Sequence, residues 1–486
     1  MPNRDRLGPA LAYLEHWLAF QQQNNPAMPG LSVAIAQDGD VLFERAWGSA
    51  NLAAQEPLTP RHLFRVASHS KTFTSAAVLH LADAGRLGLD DPVIRHLPWL
   101  AENPDSRLAG ITLRQLMSHA AGVMRDGARP DFWLLERDFP DRETLIEFFR
   151  TQPLVVDPGT RMKYSNFTYG LLGLVIEAVS GLDFACYLKS KLLDPLDLAE
   201  IGPEYQEGAG RFVTGYFRPS LAWEPIAIAS SSLPTNALAP ATGVYASATA
   251  LCRFYDALVF GDVLLSAEAR QEMLRKQWTV PLDEFERDYA HGLVLRDLGG
   301  RRIAGHSGSF PGQVSATFLD PAQRLVVSLM TNGYNVSVDL LQTGIWSILD
   351  LFEGQAAETQ DVGTQDAETQ DVGTQDVGSA PLAAYRGRFF TPAGAVDLVP
   401  LGEVIYVANP GKAQPFDKCG EIRRDADGTF RLAEDSGLGR HGEPVDFVFA
   451  ADGSLERVSL GGFPLLREAA FRERAARVAA AQPRSS

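Results

Sequence analysis

Between Ala357 and Asp376 the string AETQDVGTQD is written twice, and no other stretch does more to decide how this 486-residue chain can fold. The repeat carries six acidic side chains, no basic or aromatic one, and no apolar side chain larger than valine. So little apolar surface cannot offset the entropy of ordering, and the like charges repel, so the segment is expected to be an extended linker. It divides the chain into an expected first domain over residues 1–354, a linker over 355–380, a second domain over 381–470 and a tail over 471–486.

The first domain opens with Leu11, Leu14 and Leu18 at helical spacing, then two strand-like runs, Leu31 to Ala36 and Val41 to Trp47, joined at Asp38-Gly39. Near its end come Tyr289–Arg296, Arg301–Gly305, Gln313–Leu319 and Leu325–Met330, separated by Gly299-Gly300, Pro311-Gly312 and Asp320-Pro321. A closing helix is marked by Leu341, Ile345, Ile348 and Phe352, and residues 68–280 read mostly helical. An α+β domain is expected: an antiparallel sheet built from both ends of the region, flanked by helices, with a helical lobe in the middle. After the linker, Ala395–Leu401, Val404–Ala408, Thr429–Ala433, Val445–Phe449 and Leu455–Leu460 alternate around Asp-Gly turns, which predicts a small antiparallel β-barrel.

Sixty acidic against 44 basic residues leave a net charge of −16, which argues against a phosphate-neutralising surface and so against a nucleic-acid partner. Cys186, Cys252 and Cys419 lack paired spacing, so neither disulfides nor a zinc site is expected and all three thiols are expected to be buried. The N-terminal residues lack the apolar core of a signal peptide, and Phe167–Leu188 is broken by Glu177 and Asp183. The expectation is a cytoplasmic protein that does not enter a membrane.

Three short strings bear chemistry. Ser68-His69-Ser70-Lys71 opens a helix marked by Phe73, Ala77 and Leu81, so Ser68 and Lys71 share one face. There a helix dipole would favour an alkoxide on Ser68, and a desolvated Lys71 could serve as a base. Lysine is scarce, seven residues against 37 arginines, yet an N-cap serine followed by a solvated lysine reads the same way. Tyr164-Ser165-Asn166 precedes a helix carrying Leu171, Val175 and Val179, and residues two apart in extended chain point to one side. Gly305-His306-Ser307-Gly308-Ser309 lies on a strand, where Gly308 would let a substrate backbone run alongside and a backbone N–H could donate to an oxyanion. It is not the G-x-S-x-G of an α/β-hydrolase, because its last residue is serine.

In this order, Ser68-x-x-Lys71, Tyr164-x-Asn166 and His306-x-Gly308 resemble the penicillin-recognising serine hydrolases. Met28–Ala34, Phe64–Ala67, Leu87–Pro92, Ile111–His119 and Pro158–Thr160 agree, so the resemblance covers residues 10–352. It implies a β-lactamase/transpeptidase-like fold followed by a small lipocalin-like barrel. Lactamases and transpeptidases of that superfamily usually carry lysine where this chain has His306; a histidine with an appended β region is similar to the D-aminopeptidase and D-amino-acid amidase branch. By that resemblance Ser68 forms an acyl-enzyme, Lys71 and Tyr164 share base and acid work, and Asn166 orients Lys71 and the substrate amide. His306 contacts the substrate or Tyr164, and Ser68 and Ser309 donate backbone N–H groups to the oxyanion. No metal or cofactor is implied. The expected partner is a small-molecule or short-peptide substrate, and a homo-oligomer is compatible. The alternatives are an esterase of the same fold acting on short esters and a catalytically silent binding protein. In the resembled branch the appended domains restrict access to the cleft, so a chain ending near Gly354 is expected to fold, keep its chemistry, and either accept longer or bulkier substrates or change oligomeric state.

Overall fold

A computed structural model describes residues 4–218, 225–281, 283, 285–353, 382–391, 394–410, 416, 418–435 and 438–480. The acidic repeat lies outside the described residues. Asp38 and Gly39 both take positive φ, 51° and 82°, and turn strand Gly30–Gln37 into strand Asp40–Asn51. The first of these strands also pairs antiparallel with Leu325–Thr331, from Leu31 opposite Thr331 to Gln37 opposite Leu325, which welds the two ends of the domain together. From there Gln313–Asp320, Arg301–Phe310 and Val294–Leu298 continue outward in a sheet of nine strands among the described residues.

Both faces of this sheet are covered. Val33 and Ile35 pack with Leu14 and Leu18 of helix Arg4–Gln23 and with Ile345 and Trp346 of helix Val338–Glu353. The alternate residues Ala34 and Ala36 join Leu251 and Phe254 of helix Ala248–Phe260 on the opposite face, where small side chains allow close approach. Cys252 is buried there, 3.5 Å from the Ala34 carbonyl. Cys419 is half-buried and Cys186 is exposed, contrary to the expectation of three buried thiols, because Cys186 faces outward from the short helix Phe184–Leu188.

The middle of the domain is less helical than its periodicity suggests. Helices Ser70–Asp83, Arg142–Thr151 and Asn166–Ser180 form a lobe, but Ile201–Gly202, Gly215–Phe217, Ile226–Ile228 and Tyr245–Ala246 are short strands set in irregular chain. Among the described residues no single helix is long and apolar enough to cross a membrane.

The C-terminal region is a nearly closed antiparallel barrel of eight strands among the described residues. Gly387–Thr391, Gly420–Arg424 and Phe463–Leu466 add to the five expected strands, and Phe389, Leu398, Ile405, Ile422 and Val458 fill its interior. Helix Glu468–Ala480 crosses the expected boundary between second domain and tail and clasps both regions: Phe471 packs between Phe390 of the barrel and Phe217 and Ile228 of the first region. Gly462 takes φ +79°, and a Cβ there would come within 2.3 Å of the Ala128 carbonyl, so this barrel turn can dock closely only as glycine. Lys163 and Glu443 meet across the same interface at 2.7 Å, both fully buried.

Candidate active site

The backbone around Ser68 is constrained before any side chain acts. Ala67 takes φ +46°, a conformation rare for residues with a Cβ, and a 3-10 turn over Ala67–His69 leads into helix Ser70–Asp83. The α-helix thus begins two residues after Ser68 rather than at it. Because turn and helix are continuous, the serine and lysine still face the same way. Gly308, on the neighbouring strand, packs against this segment: a Cβ there would stand 2.0 Å from the Val66 carbonyl. Its glycine therefore serves the close approach of this strand to the Ser68 turn.

Lys71 is fully buried and its Nζ lies 3.2 Å from Ser68 Oγ. The same nitrogen donates to Asn166 Oδ1 at 2.7 Å and to the Ala241 carbonyl at 2.8 Å. In its neutral form the amine would have two N–H bonds and one lone pair; with both hydrogens taken by these acceptors, the lone pair would face Ser68. The Tyr164 hydroxyl donates to Ser68 Oγ at 2.9 Å, which directs the serine's own hydrogen toward Lys71. Burial first, then the charge of Arg125, hold the Lys71 amine well below the usual lysine range, with Asp126 pulling the other way. Burial pushes the Tyr164 phenol up to about 12, so it keeps its proton at neutral pH.

Tyr164 and Asn166 reach the site from either side of Ser165, which is the N-cap of helix Asn166–Ser180, its hydroxyl accepting from the Thr168 N–H. Asn166 Nδ2 donates to Asp126 Oδ1 at 2.5 Å. The other Asp126 oxygen accepts from Arg440 of the barrel at 2.9 Å and pairs with Arg125 at 3.3 Å, while Trp133 Nε1 donates to Oδ1 at 3.0 Å. Burial works to raise this carboxyl, yet Arg440 and Arg125, with the bonds from Asn166 and Trp133, hold it below the ordinary carboxylate range. Asp126, Arg125 and Arg440 were not singled out from sequence. Nothing local marks them, since Arg440 and Asp126 stand 314 residues apart.

His306 is brought near the site but not to its surface. Its Nδ1 donates to the Ser307 carbonyl at 2.6 Å, which leaves Nε2 to accept from the Tyr289 hydroxyl at 3.2 Å. Burial, followed by the Lys71 charge, brings its pKa down to about 3, so at neutral pH the ring is uncharged. In place of the expected contact with Tyr164, the ring makes a buried bond with Tyr289. Ser309, on the exposed side of the same strand, lines a cleft of about 260 Å³ together with Ser68 and Asn166. The barrel supplies Thr391, Arg440 and Phe463 to the opposite wall of that cleft.

The nine-stranded sheet, the helical lobe and the serine–lysine–tyrosine cluster between them have relatives. A sequence profile of the beta-lactamase family matches residues 18–348. Protein flp of Staphylococcus aureus is 30% identical over 171 residues, 35% of this chain, and a penicillin-binding protein of Bacillus subtilis is 27% identical over 304 residues, 58% of this chain. The matched parts span 34% and 63% of those relatives' own lengths. Among solved structures, an octameric penicillin-binding protein homologue from Pyrococcus abyssi superposes with a TM-score of 0.63 at 22% identity, over 94% of this chain and 99% of its own, barrel included. A D-stereospecific amidohydrolase from Streptomyces superposes with a TM-score of 0.54 at 23% identity, over 68% of this chain and 95% of its own. The profile match takes in Ser68, Lys71, Tyr164, Asn166 and His306, and more than half of the sequence: the chain belongs to the beta-lactamase family.

Proposed function

We propose that this protein is a serine hydrolase that cleaves small amides or short peptides through an acyl-enzyme on Ser68. The observation that carries the reading is the placement of Ser68 Oγ, 3.2 Å from a buried lysine nitrogen and 2.9 Å from a tyrosine hydroxyl. In the acylation step the Ser68 proton passes to Lys71 as the oxygen attacks the carbonyl carbon; collapse of the tetrahedral intermediate expels the amine, which takes a proton relayed through Tyr164. Water then hydrolyses the ester by the same route in reverse. Backbone N–H groups of Ser68 and Ser309 are the proposed oxyanion donors. A cleft walled by the barrel favours small substrates, and a D-residue or a free N-terminus is the proposed preference.

A fluorophosphonate is expected to add mass to Ser68 and to no other residue. Aminoacyl p-nitroanilides of D- and L-configuration, p-nitrophenyl esters and a penicillin then rank the substrates. Amides are expected to lead and the penicillin to be poor, because His306 supplies no cation at neutral pH and Arg125 and Arg440 are already committed to Asp126. Labelling of Ser307 or Ser309, or penicillin turnover matching that of the best amide, contradicts the reading.

The pH dependence tests the base. Activity needs the Lys71 lone pair, so it is present above the Lys71 pKa and lost as pH falls through it. Arg125 and Asp126 are the charges facing this amine, with His119, His306, Tyr164 and Tyr169 uncharged around it. Arg125→Gln removes the charge that most lowers the Lys71 pKa and is expected to move the acidic limb of kcat/KM to higher pH. A limb that stays in place or moves to lower pH rules out Lys71 as the titrating base.

A further inference from the structure

The barrel does more than wall the cleft. Four hydrogen-bond links run from it to the nucleophile: Arg440 to Asp126 at 2.9 Å, Asp126 to Asn166 at 2.5 Å, Asn166 to Lys71 at 2.7 Å, and Lys71 to Ser68 at 3.2 Å. An ionised carboxylate can only accept, so Asn166 must turn Nδ2 toward Asp126 and Oδ1 toward Lys71. An Oδ1 in that position takes one of the amine's hydrogens and helps leave the lone pair for Ser68. If Asp126 were protonated it could donate, the amide could rotate by 180°, and Nδ2 would then compete with the lysine's own hydrogens. What keeps Asp126 ionised in a buried position is its pair of arginines, Arg125 from the adjacent residue and Arg440 from a domain joined through the acidic repeat. We propose that Arg440 is a positioning residue for catalysis, which through Asp126 fixes the amide of Asn166 and so the orientation of the Lys71 amine.

This inference rests on the serine hydrolase reading, and the experiment separates the two. In the full-length protein, the rate of Ser68 phosphonylation by a fluorophosphonate is measured for wild type, Arg440→Gln, Arg440→Lys, Asp126→Asn and the double variant Arg440→Gln/Asp126→Asn, each with a thermal melt. Arg440→Gln is expected to label about 100-fold more slowly, the loss typical of a slightly misplaced reacting group. Arg440→Lys, which keeps a cation beside Asp126, should recover most of that rate. Asp126→Asn should be about as slow, and adding Arg440→Gln to it should cost nothing further, because the arginine acts through the carboxylate.

Arg440 also pairs with Glu443 at 3.1 Å and packs over Phe463, so a purely structural role is the competing account. That account predicts equal losses from Arg440→Gln in either background, and such additivity overturns the proposal. So does an Arg440→Gln rate within about twofold of wild type, the spread expected of independent sites. Should Arg440→Gln fail to fold, Asp126→Asn carries the test alone: slow labelling with an unchanged melt supports the relay, and wild-type labelling overturns it. Failure to label Ser68 in the wild-type protein overturns the hydrolase reading, and this proposal falls with it.

Discussion

Ser68→Ala is expected to lower turnover about a million-fold while the protein melts as the wild type does, within about 1 kcal/mol. The chemical loss is large because base and proton relay converge on one oxygen: with Oγ gone, Lys71 and Tyr164 have no atom to activate. The structural loss is small because Ser68 is only half-buried and its removal takes one acceptor from Tyr164. Turnover of the best amide substrate, measured beside a thermal melt, checks both parts. Residual activity above about 1% of wild type would move the nucleophile elsewhere, since a missing nucleophile leaves only what binding and the oxyanion donors supply.

Glu443→Ala is expected to destabilise the docked protein by about 3–5 kcal/mol, the cost of leaving a buried charge without its partner. Glu443 accepts from Lys163 Nζ and from the Arg125 backbone N–H, each at 2.7 Å, and from Arg440 at 3.1 Å. Lys163 is fully buried, so water cannot replace the lost carboxylate. Replacing both partners with apolar residues, Lys163→Met with Glu443→Leu, should recover much of the loss because no unpaired charge remains. Urea denaturation of the single and double variants measures this, and a single variant as stable as wild type would sink it. For the same reason a chain ending near Gly354 is no longer expected to keep its chemistry. Truncation would strip Lys163 of Glu443 and Asp126 of Arg440, so activity should fall on short and long substrates alike.

The parts of the site that could be read in advance are those whose geometry is local. Ser68 and Lys71 are three residues apart on one continuous helical path, and Tyr164 and Asn166 flank a capping serine, so backbone periodicity alone brings each pair to one side. Glycine was readable as a demand for space but not as to what fills it. At Gly308 the Val66 carbonyl takes that space, a contact that no pattern within the segment announces. The short strands between Ile201 and Ala246 escaped because two- and three-residue strands have no period to detect.

Hydrophobic alternation, turn residues and the acidic repeat by themselves pointed to a sheet assembled from both ends of the first region and a meandering barrel after the repeat, whereas the meeting of Tyr164 and Asn166 with Ser68 and Lys71, across 95 and 96 residues, was implied only by the resemblance to a known family. The sheet and the barrel follow from interactions between residues a few positions apart, or from the need of each strand to bury one face. Only the tertiary structure decided that the barrel packs onto the cleft, that His306 is an uncharged buried partner of Tyr289, and that Asp126 is held ionised by Arg440. Those outcomes depend on desolvation and on charge pairing between segments up to 314 residues apart. A buried charge is tolerated only where its partner arrives, and where that partner arrives is set by the packing of whole domains.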